Sequence, residues 1–132
     1  MKAAVVYGIN DLRLEEIEKP QIERDDQILV KIKAVGICGS DIHILHGANP
    51  FATYPRIMGH EMVGEVEAVG DNVKNIAIGD HIVVEPITYC GKCYACRQGM
   101  PNVCQQLKVS GVHVDGGMRE YILIAEKQAH KI

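Results

Sequence analysis

The chain has 132 residues, 14 of them basic and 17 acidic, with a net charge of −3, one phenylalanine and no tryptophan. This length is sufficient for one domain with a buried core. The charge and the few aromatic residues argue against the basic surface or base-stacking platform of a nucleic-acid-binding protein. No apolar run approaches the length of a membrane span, and the N-terminus does not have the pattern of a signal peptide.

Apolar and polar residues alternate with period two through most of the chain, a pattern typical of half-buried strands. An opening hairpin is predicted from 2–7 and 12–17, followed by strands at 28–35, 62–69, 81–84 and 118–125. Helical turns are predicted only at 40–45 and 93–98. Glycines separate the strands along the chain, as a small barrel requires. The sequence therefore predicts a mainly β, barrel-like domain over residues 1–132.

The fingerprint of dinucleotide binding, a strand followed by G-x-G-x-x-G and a helix, does not occur in the sequence. Gly111, Gly116 and Gly117 do not have that spacing. We therefore expect a nucleotide-binding domain of the Rossmann type to be absent from this chain.

Four of the five cysteines follow the pattern C-x2-C-x2-C-x7-C, at Cys90, Cys93, Cys96 and Cys104. This spacing suits one tetrahedral Zn²⁺ bound by four thiolates, whereas two disulfides across such short loops would be strained. The alternative of buried cysteines that pack as small apolar residues fits poorly with a glycine-rich, loop-like segment. We predict a structural zinc lobe over about residues 88–106. A four-cysteine site has no open coordination position, so this metal would perform no chemistry.

The cysteines also bear on the cellular compartment. Five cysteines without a secretory signal indicate a reducing environment, in which clustered thiols bind metal and do not form disulfides. We therefore expect a soluble, cytoplasmic domain.

A second candidate metal site combines the fifth cysteine, Cys38, with His60 and Glu61, about twenty residues further on. A thiolate, an imidazole and a carboxylate are good zinc ligands, and catalytic zinc sites keep three protein ligands and one open position. Each residue alone has an ordinary structural explanation. Their combination beside an independent four-cysteine lobe favours a catalytic zinc site.

The sequence resembles the N-terminal, GroES-like catalytic domain of the zinc-containing medium-chain dehydrogenases, the superfamily of alcohol, sorbitol and threonine dehydrogenases. The resemblance rests on G-I-C-G-S-D-I-H at 36–43, G-H-E-M-V-G-E-V at 59–66, V-G-x-x-V-x5-G-D at 69–80 and the cysteine pattern, in family order. The segments 49–61 and 111–121 are most similar to bacterial starvation-sensing and hexonate-oxidoreductase members. The resemblance implies a partly open, GroES-like β-barrel with short helices and a zinc-binding lobe.

The family's residue roles fall on matching positions of this sequence. The resemblance implies that Cys38 and His60 bind the catalytic zinc, and that Glu61 is either a ligand or a nearby residue that exchanges with water. Ser40 and His43 fall on the proton-relay positions. Asp41 is interpreted as a helix-start charge or as a hydrogen-bond acceptor behind the ligands. The four remaining cysteines fall on the structural zinc ligands: Cys90, Cys93, Cys96 and Cys104.

The implied activity is oxidation of a secondary alcohol, polyol or sugar acid to the ketone, with hydride transfer from a zinc-bound alkoxide to NAD or NADP. The nicotinamide would be bound by the domain that this chain lacks, so we expect the 132 residues alone to be inactive. The full-length protein is expected to be a homo-oligomer, without nucleic-acid or membrane partners. The surrounding loop 49–56, with Phe51 and Tyr54, is expected to form a cleft wall, and His46 and His113 are interpreted as surface or cleft residues.

Three other interpretations remain open. The chain could be a non-catalytic zinc-binding interaction module, a co-chaperonin-like structural protein, or a regulatory relative of the dehydrogenases. The shared barrel fold does not decide among them. Five metal-type cysteines would have no use in a chaperonin lid, and the intact Cys38, His60 and Glu61 disfavour a relative that has lost activity.

Overall fold

The computed structural model describes residues 1–132 and consists mostly of short β-strands. The ten strands are β1 (Lys2–Gly8), β2 (Asp11–Glu16), β3 (Gln27–Gly36), β4 (Arg56–Ile57), β5 (Glu61–Val69), β6 (His81–Val84), β7 (Ile87–Thr88), β8 (Lys108–Val109), β9 (Tyr121–Ala125) and β10 (Ala129–Lys131). The helices are α1 (Gly39–Leu45), α2 (Tyr94–Arg97) and the 3-10 turns Pro101–Val103 and Glu126–Gln128. No helix is long and apolar enough to cross a membrane.

The strands form three antiparallel sheets. The central sheet has five strands in the order β10-β6-β5-β3-β9, and a second sheet has the order β2-β1-β4. The third sheet contains only β7 and β8. The mainly β architecture predicted from the sequence is confirmed.

The main core lies on the inner face of the central sheet. Nine buried apolar side chains form one cluster, to which all the long strands of this sheet contribute: Ile28, Val30, Met62, Val66, Ile76, Ile82, Val84, Ile122 and Ile124. The alternation of β5 follows the predicted period of two, with Met62, Gly64 and Val66 buried between more exposed neighbours. Burial of this apolar stripe fixes which face of each strand points inward.

The pairing of β3 with β5 brings the candidate ligands together. The strands are antiparallel, with Val35 opposite Met62 and Gly36 opposite Glu61. The end of β3 therefore meets the start of β5. Cys38, two residues after β3, and His60, one residue before β5, consequently lie at the same end of the sheet.

The predicted strand 118–125 begins later than expected, at Tyr121. The backbone of the preceding residues is bonded elsewhere: the Met118 amide donates to the Met58 carbonyl, and the Glu120 amide donates to the Lys2 carbonyl. The residues before Tyr121 therefore bond to other segments, β1 among them, before the chain enters β9 and pairs with β3. The two- and three-residue strands β4, β7, β8 and β10 were not predicted, because so few residues show no alternation.

Candidate metal centres

The four-cysteine cluster has the spacing that one tetrahedral metal ion requires. All four cysteines are free thiols, and their sulfurs lie within 4.8 Å of one another. The Cys104 sulfur lies 3.6 Å from that of Cys90 and 3.9 Å from that of Cys93. With Zn–S bonds of about 2.3 Å, the sulfurs of a tetrahedral site are about 3.8 Å apart. The cluster therefore fits a zinc ion, and the separations are far too long for disulfides.

Backbone amides of the lobe stabilise negative charge on these sulfurs. The Cys93 amide donates to the Cys90 sulfur and the Gln106 amide to the Cys104 sulfur, both at 3.3 Å. Amides of Cys96 and Gln105 lower the pKa of the Cys93 thiol to about 6. Burial, followed by the neighbouring Cys93, raises the pKa of Cys96 to about 12. All four sulfurs can therefore be thiolates together only with a cation between them, and the donor set matches Zn²⁺.

The second cluster joins a sheet end to a helix start. The ligand atoms of Cys38, His60 and Glu61 lie within 4.8 Å of one another. Cys38 and His60 are half-buried and Glu61 is exposed. The structure thus brings together the three residues predicted from the sequence, with one side facing solvent. Gly36 stands opposite Glu61, and its missing side chain leaves the space that the Glu61 carboxylate occupies.

Asp41 connects the two segments that carry these ligands. Its carboxylate is 1% exposed and lies under the site. One oxygen accepts a hydrogen bond from the Cys38 amide at 2.8 Å, and the other accepts one from the Gly59 amide at 3.3 Å. The second oxygen also lies 3.7 Å from Nδ1 of His60, which is buried and has no hydrogen-bond partner. Asp41 is therefore an acceptor behind the ligands, and its place under His60 could not be read from helix position alone.

The orientation of His60 fits metal binding. Since Nδ1 faces Asp41, the opposite nitrogen, Nε2, faces the cluster, with the Ser40 hydroxyl 3.4 Å away. A carboxylate behind the non-ligating nitrogen is the usual arrangement of a metal-binding histidine. The site thus meets the chemical requirements of a zinc centre.

Ser40 and His43 share one face of α1. They are three residues apart on the helix, so their side chains are neighbours. Ser40 is half-buried beside His60, whereas His43 is exposed. The pair therefore leads from the candidate site towards solvent.

The loop 49–56 contributes to the surface differently at its two aromatic residues. Phe51 is 68% exposed and its ring lies 5.9 Å from that of His113. His113 accepts a hydrogen bond on Nδ1 from the Val109 amide at 3.1 Å. Tyr54 instead packs inward and donates its hydroxyl to the Ile44 carbonyl. Of the two aromatic side chains, only that of Phe51 is therefore available to form a cleft wall.

Replacing the buried Asp41 by asparagine is expected to destabilise the domain by about 1–3 kcal/mol, because the amide group cannot accept both backbone hydrogen bonds. The matched control is Asp71→Asn at an exposed position, with an expected change within about 0.5 kcal/mol. Denaturant unfolding of both variants measures the difference. Equal stability of the two would show that Asp41 does not hold the segments together.

The fold and the match to a known domain family define the class of protein. The family model of the alcohol dehydrogenase GroES-like domain matches residues 24–132 of the sequence. The chain belongs to this family. The family expected from the motifs is thereby confirmed.

Individual relatives agree with this assignment. The chain is 46% identical over 132 residues to the starvation-sensing protein RspB of Escherichia coli, covering 100% of this chain and 39% of that protein. It is 45% identical over 103 residues to L-galactonate-5-dehydrogenase of Escherichia coli, covering 78% of this chain and 30% of that protein. A crystal structure of rspB from Escherichia coli, complexed with the cofactor NADH, superposes with a TM-score of 0.92 at 45% identity. The match covers 100% of this chain and 38% of that one. The chain thus spans about two fifths of the length of RspB.

Proposed function

We propose that this chain is the catalytic-domain portion of a zinc-dependent, NAD(P)-linked dehydrogenase that oxidises a secondary alcohol, polyol or sugar acid to the ketone. The observation that carries the proposal is the convergence of Cys38, His60 and Glu61 within 4.8 Å at one end of the central sheet. The relative named L-galactonate-5-dehydrogenase supports a sugar acid as the substrate class.

In this proposal two zinc ions have different roles. Cys38, His60 and Glu61 would hold the catalytic ion, which supplies Lewis-acid activation of the substrate hydroxyl. The structural ion would be held by the lobe residues Cys90, Cys93, Cys96 and Cys104. Asp41 positions the catalytic ligands: it binds the amides of Cys38 and Gly59 and keeps a negative charge behind His60.

The proton released from the substrate hydroxyl is assigned to Ser40 and His43. The Ser40 hydroxyl lies beside Nε2 of His60, so it is placed to accept that proton as it passes its own to the next group. His43 follows on the same helix face and is exposed. An exposed imidazole can take up a proton from a neighbouring hydroxyl and release it to water. The chain thus provides a route from the site to solvent.

The hydride acceptor is assigned to a separate nucleotide-binding domain. The 132 residues contain no G-x-G-x-x-G segment, and the RspB structure that the chain resembles is complexed with NADH. We propose that residues 1–132 form one domain, inactive alone, within a cytoplasmic homo-oligomeric enzyme. The choice between NAD and NADP would then be made outside this chain.

The proposal is tested by zinc content and dehydrogenase activity of the full-length protein. We expect about two zinc ions per subunit and reduction of NAD⁺ or NADP⁺ with at least one substrate from a panel of secondary alcohols, polyols and hexonates. One zinc per subunit with no turnover on the whole panel would contradict the enzyme and support a zinc-binding interaction module. Two zinc ions with no turnover would favour a regulatory relative.

A further inference from the structure

A glycine-rich turn, residues 110–117, lies against the segment that leads into His60. The Gly116 amide donates to the Ile57 carbonyl at 2.7 Å, and the Gly117 amide donates to the Gly59 carbonyl at 2.9 Å. The turn is thus bonded, backbone to backbone, to the residues directly before the candidate ligand. Nothing in the proposed chemistry uses it.

Two positions of the turn have no room for a side chain. A Cβ atom on Gly111 would lie 2.7 Å from the Gly59 nitrogen. A Cβ atom on Gly116 would collide with the Gly59 carbonyl oxygen and would lie 2.7 Å from the Met58 carbonyl oxygen. Real Cβ atoms essentially never come closer than 3.0 Å to such atoms, and these neighbours are backbone, which cannot rotate away. A substitution here must therefore displace Gly59 or push the turn away from it.

Displacement of Gly59 would be transmitted to His60. The two residues share a peptide bond, and Gly59 has a φ of +95°, a conformation that residues with a side chain rarely adopt. The Gly59 amide also donates to the Asp41 oxygen that lies 3.7 Å from Nδ1 of His60. A shift of this peptide changes both the direction of the imidazole and its carboxylate neighbour.

We propose that Gly111 and Gly116 are positioning residues for the catalytic metal: they let the turn approach Gly59 and so hold the His60 imidazole in its ligating orientation. This inference rests on the metal site in the proposed function and adds two residues to it. Metal sites depend on such outer contacts, whose loss commonly weakens binding by about 10–100-fold.

The test is Co²⁺ titration of the metal-free full-length protein, followed by visible absorption. A site with four thiolates absorbs more strongly than a site with one, so the two centres are followed in the same sample. In Gly111→Ala and Gly116→Ala we expect Co²⁺ affinity at the Cys38 site to fall by about ten-fold or more. Affinity of the four-cysteine site should equal that of the wild type.

Two glycines with open surroundings provide matched controls. Gly79 has a φ of +90°, close to the +78° of Gly111, and an added Cβ would meet nothing within 4 Å. Gly8 has no positive φ and is equally open, so it matches Gly116. Gly79→Ala reproduces the backbone strain without the collision, and Gly8→Ala reproduces the added methyl group. Both controls are expected to bind two metal ions as the wild type does.

The outcomes separate the inference from the proposed function. Unchanged Cys38-site affinity in the two variants, or equal weakening of both centres, overturns the positioning role. A wild type that binds Co²⁺ only at the four-cysteine lobe overturns the proposed function and the inference with it. If neither variant folds, Asp115→Ala decides, because it adds no atoms and removes a carboxylate that helps to anchor the turn, where it accepts from the Ile57 amide at 3.1 Å and from Arg56 at 3.0 Å. Unchanged Cys38-site affinity in that variant would contradict the proposal.

Discussion

In the proposed dehydrogenase, Cys38→Ser is expected to lower turnover of the full-length protein by about a thousand-fold, with the zinc of the Cys38 site lost and the fold retained. A catalytic metal ion contributes several kcal/mol of transition-state stabilisation, and about 4 kcal/mol corresponds to this factor. Cys38 caps the start of α1 through its backbone, and its amide still donates to Asp41 after the substitution. The melting temperature should therefore stay within a few degrees of the wild type.

Zinc analysis, thermal unfolding and initial rates check this result on one preparation. One zinc per subunit, an unchanged melting temperature and lost activity form the expected combination. Wild-type turnover in Cys38→Ser would remove the thiolate from the proposed mechanism. Retention of both zinc ions would instead show that His60 and Glu61 hold the metal without it.

Cys96→Ser is expected to have the opposite effect on structure. Zinc binding supplies folding free energy to small lobes, with apparent values of about 10–16 kcal/mol in isolated zinc fingers. The lobe has little else to order it: α2 has four residues and none is buried. We expect loss of the structural zinc and rapid amide exchange over residues 90–104, while the core cluster of the central sheet remains protected.

Hydrogen exchange and melting temperature distinguish this variant from Cys38→Ser, which is its matched control since both remove one thiol from a metal site. The two variants should differ, with local unfolding only in Cys96→Ser. Equal melting losses would contradict the division into a catalytic and a structural centre. Retained protection across 90–104 in Cys96→Ser would show that the lobe folds without its metal.

Much of the site could be predicted because the motifs that specify it each lie within a short stretch of sequence. The cysteine pattern specifies a lobe by spacing alone, and the two ligand motifs stand at strand ends that the period of two reveals. The strand predictions at 28–35 and 62–69 agree with β3 and β5 to within a residue at each end.

The rest depends on contacts between distant segments. The pairing of Gly36 with Glu61 is a property of strand register, and no periodicity encodes it. The hydrogen bond from the Gly59 amide to the buried Asp41 joins the segment before β5 to α1 across 18 residues. The sequence presents Gly111 and Gly116 within a failed nucleotide motif and within the family-like segment 111–121, and neither pattern indicates that they admit a backbone from elsewhere in the chain. Adjacent glycines that belong to no repeating pattern are the one sequence signal that could have suggested this close backbone contact.

The lobe is attached to the rest of the domain by a very short ladder. β7 and β8 pair only through Ile87 with Val109 and Thr88 with Lys108. In polymer terms, the residues between these strands form a long loop. Closing this loop costs conformational entropy that the pairing of only two residues in each strand scarcely offsets. A metal that ties four points of the loop together removes most of that freedom before the ladder forms. The concentration of available zinc would then determine the fraction of molecules in which β7 and β8 are paired.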